Sequence, residues 1–330
     1  QTGSIGSGAI VACSMLSGRS IAPLAQLSQL LTRLNQSIAS YKSLSSLMQQ
    51  PREHKQNFAY MSRENWQGTI EFRNVCFNYP EQTENGLQNI SFKIEAGERV
   101  ALVGKVGSGK STVAKLMLGL YQPDSGSILI DGVDSRQIDS ADLRRNIGTV
   151  MQDVWLLTGT VKQNIAIGGN NPTDQEILEA SQLAGVHEFI SHHPEGYGLR
   201  LKERGEGLSG GQKQSITIAR ALVSKPPIVL MDEPTSAMDL PGERTLIERL
   251  KAELINQTII VITHRASIIE LIDRVLVLDQ GKLVAQGPKS DFMKKPPTPA
   301  APVPNNDPIS SLEGRSDPAA SEKFGYGAAA

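Results

Sequence analysis

One octapeptide constrains this chain more than any other feature: Gly104-Lys105-Val106-Gly107-Ser108-Gly109-Lys110-Ser111, which follows the apolar run Val100–Val103 and precedes the helical stretch Thr112–Leu118. A strand, a glycine-rich turn and a helix in that order leave few folds open. The glycines let successive backbone N–H groups point inward at phosphate oxygens, and the helix start adds positive potential. In such a loop Lys110 reaches the β- and γ-phosphates of a nucleotide, and the Ser111 hydroxyl reaches Mg²⁺. The expected cradle comprises Gly104, Val106, Gly107, Ser108, Gly109, Lys110, Ser111 and Thr112.

A phosphate loop of this kind needs a second, acidic strand end. Ile228-Val229-Leu230-Met231-Asp232-Glu233 supplies it, as an apolar run that closes on two carboxylates. Asp232 is expected to hold Mg²⁺ through water. Glu233 is placed to polarise a water that attacks the γ-phosphate. Phosphoryl transfer asks mainly for positioning and charge neutralisation, so this division of labour is chemically sufficient.

A third segment, Leu208-Ser209-Gly210-Gly211-Gln212, sets two glycines after a serine and ahead of the helical run Ser215–Val223. That is another helix start suited to anions. One nucleotide does not need two such starts on one subunit.

The rest of the chain punctuates as α/β. Thr69–Tyr79 and Ser91–Ile94 alternate like half-buried strands. Short apolar runs at Ser127–Ile130, Ile228–Met231, Ile259–Ile262 and Val275–Leu278 predict further strands, with helical patterns between most of them. A parallel core sheet flanked by helices follows, with the early antiparallel strands as a side sheet. Before it, Leu24, Leu27, Leu31, Leu34, Ile38, Tyr41, Leu44 and Leu47 recur at helical steps, and Pro51 ends the stripe.

Residues 1 to 18 carry no charge, and Ile5–Leu16 is apolar with small residues. That run alone is shorter than the roughly 20 apolar residues a bilayer requires. Three readings stay open for it: the cytoplasmic end of a membrane helix, a buried core helix, or a targeting segment. From Lys294 on, prolines sit among Ala, Ser and Asn, a composition that reads as a disordered tail. The expected division is 1–60 for the end of a transmembrane region with its linker, 68–290 for the nucleotide-binding domain, and 291–330 for the tail.

Composition excludes little but points consistently. There are 33 Lys+Arg against 34 Asp+Glu, for a net charge of -1, which speaks against a nucleic-acid binder. Cys13 and Cys76 form no CxxC pair, so neither a disulfide framework nor a zinc site is expected. His192 and His193 stand next to Pro194 without metal-ligand spacing and read as loop residues.

Leu208–Gln212 matches the signature of ATP-binding-cassette proteins, and the chain resembles that family most strongly over Thr69–Gly287. The resemblance implies a P-loop NTPase cassette with a helical subdomain carrying the signature, preceded by the end of a transmembrane helix. It implies that two copies close face to face over two ATP molecules, the signature of one meeting the γ-phosphate held by the other. Ser209, Gly210, Gly211 and Gln212 would then contact nucleotide. Tyr79 matches the aromatic that stacks on adenine. Gln152 matches the glutamine that senses Mg²⁺ and attacking water. Ser236-Ala237-Met238-Asp239 matches the loop that communicates across the dimer, and His264 the histidine that contacts the γ-phosphate.

Glu203-Arg204-Gly205-Glu206-Gly207 looks like the exporter loop that touches the transmembrane coupling helices. Leu16–Pro23, Asp232–Asp239 and Thr263–Ser267 resemble the type I secretion branch, whose members export large adhesins or repeat toxins across the inner membrane. That branch works with a periplasmic adaptor and an outer-membrane channel. A lipid, drug or peptide exporter with the same motor remains open, since the cassette residues do not separate the cargoes.

Overall fold

The computed structural model describes residues 6–50, 53, 59–61, 63, 65–80, 86–265 and 267–293. The chain divides into two units, 1–289 and 290–330. Of the second, only 290–293 are described; the sequence reading of a disordered tail from Lys294 lies outside the described residues.

The first element is a single long helix that takes in both the apolar run and the amphipathic stripe. α1 (Ser7–Met48) runs unbroken for 42 residues, with Pro23 inside it. The apolar first part and the amphipathic stripe thus form one helix, which continues past Pro23 although that residue has no N–H to donate. Its hydroxyls turn back onto their own backbone, Ser14 Oγ donating to Val11 O (2.9 Å) and Thr32 Oγ1 to Ser28 O (3.0 Å). The apolar stripe from Leu24 to Leu47 is exposed throughout. By length and composition α1 suffices to cross a membrane, which the run Ile5–Leu16 by itself does not.

The elements that follow, in chain order, begin with β1 (Ile70–Phe77), β2 (Leu87–Ile94), β3 (Arg99–Val103), α2 (Lys110–Met117), β4 (Ser125–Ile130), β5 (Val133–Asp134), α3 (Ser140–Arg145) and β6 (Ile147–Val150). Then come β7 (Gly159–Thr160), α4 (Val161–Ala166), α5 (Asp174–Ala184), α6 (Val186–Ile190), β8 (Arg200–Leu201), α7 (Gly210–Leu222) and β9 (Ile228–Asp232). The last are α8 (Leu240–Glu253), β10 (Thr258–Ile262), β11 (Arg274–Asp279), β12 (Lys282–Pro288) and α9 (Lys289–Met293).

The core sheet has the order β12-β11-β3-β10-β9-β6. Five of its members, β11 through β6, pair in parallel, and β12 closes one edge antiparallel to β11. Parallel strands covered on both faces read as continuous apolar runs, and β9 and β10 show why. Ile228 and Leu230 enter one apolar cluster while Val229 and Met231 enter the other; Ile260 and Ile262 divide from Ile259 and Val261 in the same way. The side sheet, β2-β1-β4-β5, is antiparallel. Here one face is buried, and β2 alternates accordingly, with Leu87, Ile90, Phe92 and Ile94 inside.

The chain enters this sheet through a carboxylate anchor. Asp131 accepts three consecutive amides, from Gln67 (2.6 Å), Gly68 (3.0 Å) and Thr69 (2.7 Å). Ahead of it, Glu53 pairs with Arg144 at the end of α3. On the far side, α4, α5 and α6 pack with α7 around Val161, Ile165, Ile177 and Val186, the helical subdomain expected to carry the signature.

Candidate functional site

Three adjacent strands, β3, β10 and β9, end side by side, and the chemistry gathers at their carboxyl ends. This is where open parallel sheets place their ligands. The Gly104–Ser111 loop leaves β3, Asp232 closes β9, and His264 follows β10 by two residues.

Backbone geometry explains the glycines. Gly104 has φ +155, and a Cβ there would stand 2.1 Å from Leu278 O; Gly109, at φ +101, is the left-handed residue that starts α2. Lys110 Nζ donates to Gly104 O (2.9 Å), Lys105 O (2.8 Å) and Ser108 Oγ (3.4 Å), so the loop curls over the ammonium. Burial pushes Lys110 below its ordinary pKa, against the opposing pull of Asp232 and Glu233. Val106, at the tip, is fully exposed.

Ser111 Oγ donates to Asp232 Oδ2 (3.1 Å). Burial holds the Asp232 carboxyl above its ordinary range; the Ser111 hydrogen bond and Lys110 oppose that, and the neighbouring Glu233 charge reinforces it. A cation beside this pair would reverse the balance. Serine hydroxyl and carboxylate are the hard oxygen donors that Mg²⁺ takes alongside phosphate oxygens and water, so the residues present fit that ion.

Glu233 sits at φ +51, a backbone conformation few non-glycine residues adopt. Its amide donates to Ile262 O (2.8 Å), which binds the end of β9 to the end of β10. His264 Nδ1 lies 2.7 Å from Glu233 Oε1, while Glu233 Oε2 is buried with no protein partner among the described residues. The carboxylate is thus oriented through one oxygen, and its other oxygen is buried without a partner among the described residues.

Tyr79 stands two residues past β1, its hydroxyl 3.2 Å from Thr112 Oγ1 and its ring edge-on to Phe77 and Tyr121. Lys115 Nζ lies 5.4 Å from the same ring. Tyr79 is therefore half-buried against the first turn of α2, beside the phosphate loop. Gln152 is placed differently. It is exposed two residues after β6, and among the described residues no hydrogen bond joins it to Ser111 or Asp232. The same segment carries Trp155, over whose ring the Arg204 guanidinium sits at 4.5 Å, so the 203–207 loop rests against the chain that follows Gln152.

The signature residues form a capping box at the start of α7. Ser209 Oγ accepts from the Gln212 amide (3.2 Å), and Gln212 Oε1 accepts from the Ser209 amide (2.9 Å). Both side chains are spent on the helix start, while the Gly210 and Gly211 amides belong to the first turn, where the helix offers no acceptor. They face a cavity of about 630 Å³ that Met238, Asp239, Glu188 and Arg249 also line. No residue of the 104–112 loop lines it, so the two anion-suited helix starts open at different places on one subunit. Asp239 Oδ1 accepts from Gly242 N (3.1 Å) and caps α8.

Two residues escape sequence reasoning. Gln214, fully buried on α7, donates to Glu233 O (2.8 Å) and Ser236 Oγ (3.3 Å) and accepts from Ala237 N (3.0 Å). Its only sequence signal is a polar side chain on the apolar face of a helix. Glu243, in the first turn of α8, reads as an ordinary charge complementing the helix dipole, yet it is 1% exposed.

The ABC transporter family model matches residues 87–236. Over 293 residues the chain is 39% identical to a leukotoxin export ATP-binding protein, LtxB, of Aggregatibacter actinomycetemcomitans, covering 89% of this chain and 41% of that protein. The chain carries the nucleotide-binding domain of an ABC transporter. A leukotoxin translocation ATP-binding protein, LktB, of Mannheimia haemolytica is 38% identical over the same length, again with 89% and 41% covered. The chain thus spans about two-fifths of the curated relatives it matches. Among solved structures, a bacterial Atm1-family ABC exporter with ATP bound aligns with a TM-score of 0.73 at 37% identity, over 83% of this chain and 48% of the other.

Proposed function

We propose that this chain hydrolyses ATP to ADP and phosphate and that the energy drives export of a large polypeptide across a bacterial inner membrane. The observation that carries the hydrolytic reading is the meeting of Lys110, Ser111, Asp232, Glu233 and His264 at the ends of three neighbouring strands. The phosphate loop amides and Lys110 bind the triphosphate; Tyr79 offers a ring beside Thr112 for the base. Ser111 and Asp232 would hold Mg²⁺, which when bound neutralises phosphate charge. Glu233 takes a proton from the attacking water, and His264 orients its carboxylate.

The signature start cannot serve the phosphate loop of its own subunit, since the two open apart, so the reading includes a second copy whose α7 completes the site. Ser209, Gly210, Gly211, Gln212 and Asp239 belong to that shared face, and Gln152 to the link with the membrane part. Residues 1–60 are assigned to the end of the transmembrane region, with α1 its last helix, and 68–290 to the cassette on the cytoplasmic side.

Type I secretion of an adhesin or repeat toxin, with a periplasmic adaptor and an outer-membrane channel, is supported by the two leukotoxin exporters. The similarity to an Atm1-family exporter favours, as a second reading, a smaller cargo moved by the same motor.

The test is Mg²⁺-dependent ATPase activity against protein concentration, for the wild type and Glu233→Gln. Specific activity that rises with concentration, and is lost in a variant that still binds ATP and elutes as a dimer with it, is expected. Turnover at the normal rate in Glu233→Gln would remove the general base from the mechanism.

A further inference from the structure

Beyond the strand ends, one buried carboxylate touches both loops that carry the hydrolytic groups. Glu243 Oε1 accepts from Thr235 Oγ1 (2.7 Å) and Ser267 Oγ (2.7 Å), and its Oε2 accepts from Arg265 Nη1 (3.0 Å). Thr235 lies two residues after Glu233. Arg265 and Ser267 lie one and three residues after His264. Arg265 then spans the gap a second time, donating through Nη2 to Ser236 O (3.1 Å), while its own amide donates to Thr263 Oγ1 (3.0 Å).

We propose that Glu243 is a positioning residue for hydrolysis: it fixes the loop after Glu233 against the loop around His264, and so sets the contact between those two side chains. The inference rests on the reading that Glu233 and His264 act on ATP, and deepens it.

The chemistry of the position supports a role beyond starting α8. A first-turn glutamate gains its interaction with the helix dipole while remaining in water. Burying the carboxylate forfeits its hydration, a cost recovered only when charge-assisted partners surround it. Here three partners do so, and none comes from α8 itself. All belong to the two loops that flank the reacting groups. Removing the charge leaves Arg265 without its ion pair and turns the acceptor that both loops share, Oε1, from a carboxylate oxygen into a weaker, neutral one. The Glu233–His264 contact, 2.7 Å in this arrangement, is then held by a looser outside constraint. Catalytic groups lose rate steeply when misplaced by even an ångström, whereas the phosphate loop on β3 makes none of these contacts and keeps its grip on nucleotide.

The variant to make in the full chain is Glu243→Gln, which preserves length and two acceptor contacts but presents an amide to Arg265. Steady-state ATPase with MgATP, binding of a fluorescent ATP analogue and thermal unfolding are measured together, with Glu233→Gln as reference. The expected result is a kcat about 10-fold or more below wild type, with KM and analogue affinity within about 2-fold. A folded Glu243→Gln with wild-type kcat, beside an inactive Glu233→Gln, overturns the positioning role alone. A KM that rises in step with the fall in kcat overturns it too, as a structural residue would give that. If Glu243→Gln does not fold, Ser267→Ala removes a single hydroxyl from the His264 loop and decides by the same split. Normal turnover in Glu233→Gln takes down the hydrolytic reading and this inference with it.

Discussion

Ser111 Oγ donates to Asp232 Oδ2 at 3.1 Å, joining the first turn of α2 to the last residue of β9 across 121 positions of sequence. The pair ties the phosphate-binding loop to the acidic strand end, and it presents two oxygens to one point.

Ser111→Ala removes one of those oxygens and leaves Lys110 and the loop amides in place. Its effect should therefore appear only when Mg²⁺ is present. With Mg²⁺, affinity for a fluorescent ATP analogue should fall about 10-fold, the size of one lost charge-assisted contact. With EDTA, wild type and variant should bind alike. Equal losses under both conditions would show that the hydroxyl shapes the loop rather than meeting a cation.

Legibility in the sequence followed burial. β9 and β10 were readable because both faces are covered, which forces an uninterrupted apolar run. β12 was not: Lys282–Pro288 is an edge strand with most side chains in water, so nothing in its pattern alternates. β6, only four residues long and containing Gly148, was too short to register. The same division holds in the site. Glycine spacing betrays the phosphate loop because φ above zero and close backbone approach demand that residue type. Gln214 and Glu243 left no comparable mark, since their partners lie in segments that come near only in the folded chain. α1 was legible for another reason, as a change from apolar to amphipathic pattern alters what a helix faces and not whether it continues.

Gly281 shows how far the constraint on the phosphate loop extends. It follows Gln280 in the turn between β11 and β12, with φ +46 and +73 at the two positions. Its amide donates to Ser108 O (3.2 Å), and its carbonyl accepts from Gln88 N (2.8 Å). A Cβ at this position would meet Gly86 O at 1.9 Å. Gly281→Ala should cost more than about 2 kcal/mol, since strain and a backbone clash combine. For a domain of this size that lowers the melting temperature by several degrees, roughly 2–4 °C per kcal/mol. ATP-analogue affinity should weaken as well, because the Ser108 contact is displaced. A melting temperature within about 1 °C of wild type would mean the hairpin tip shifts freely and does not brace the loop.

The buried carboxylate on α8 makes stability depend on pH in a predictable direction. Burial by itself would raise the Glu243 pKa, but hydrogen bonds from Thr235, Ser267 and Arg265, with the Arg265 charge, outweigh it and leave the carboxyl below 4.5. A carboxyl depressed in the folded state is protonated first in the unfolded chain. Its contribution to stability is therefore complete above the unfolded value and is lost as pH falls from there through the folded value. Glu243→Gln carries no such group. The gap in unfolding free energy between wild type and Glu243→Gln should be level from about pH 7 to about pH 5.5 and narrow below, as the wild type alone surrenders this term. Other carboxylates titrate in both proteins and cancel in the difference. A gap that stayed level to about pH 3.5, or widened, would mean that the three donors do not hold Glu243 in its charged form, and the ion pair with Arg265 would have to be abandoned as the link between the two loops.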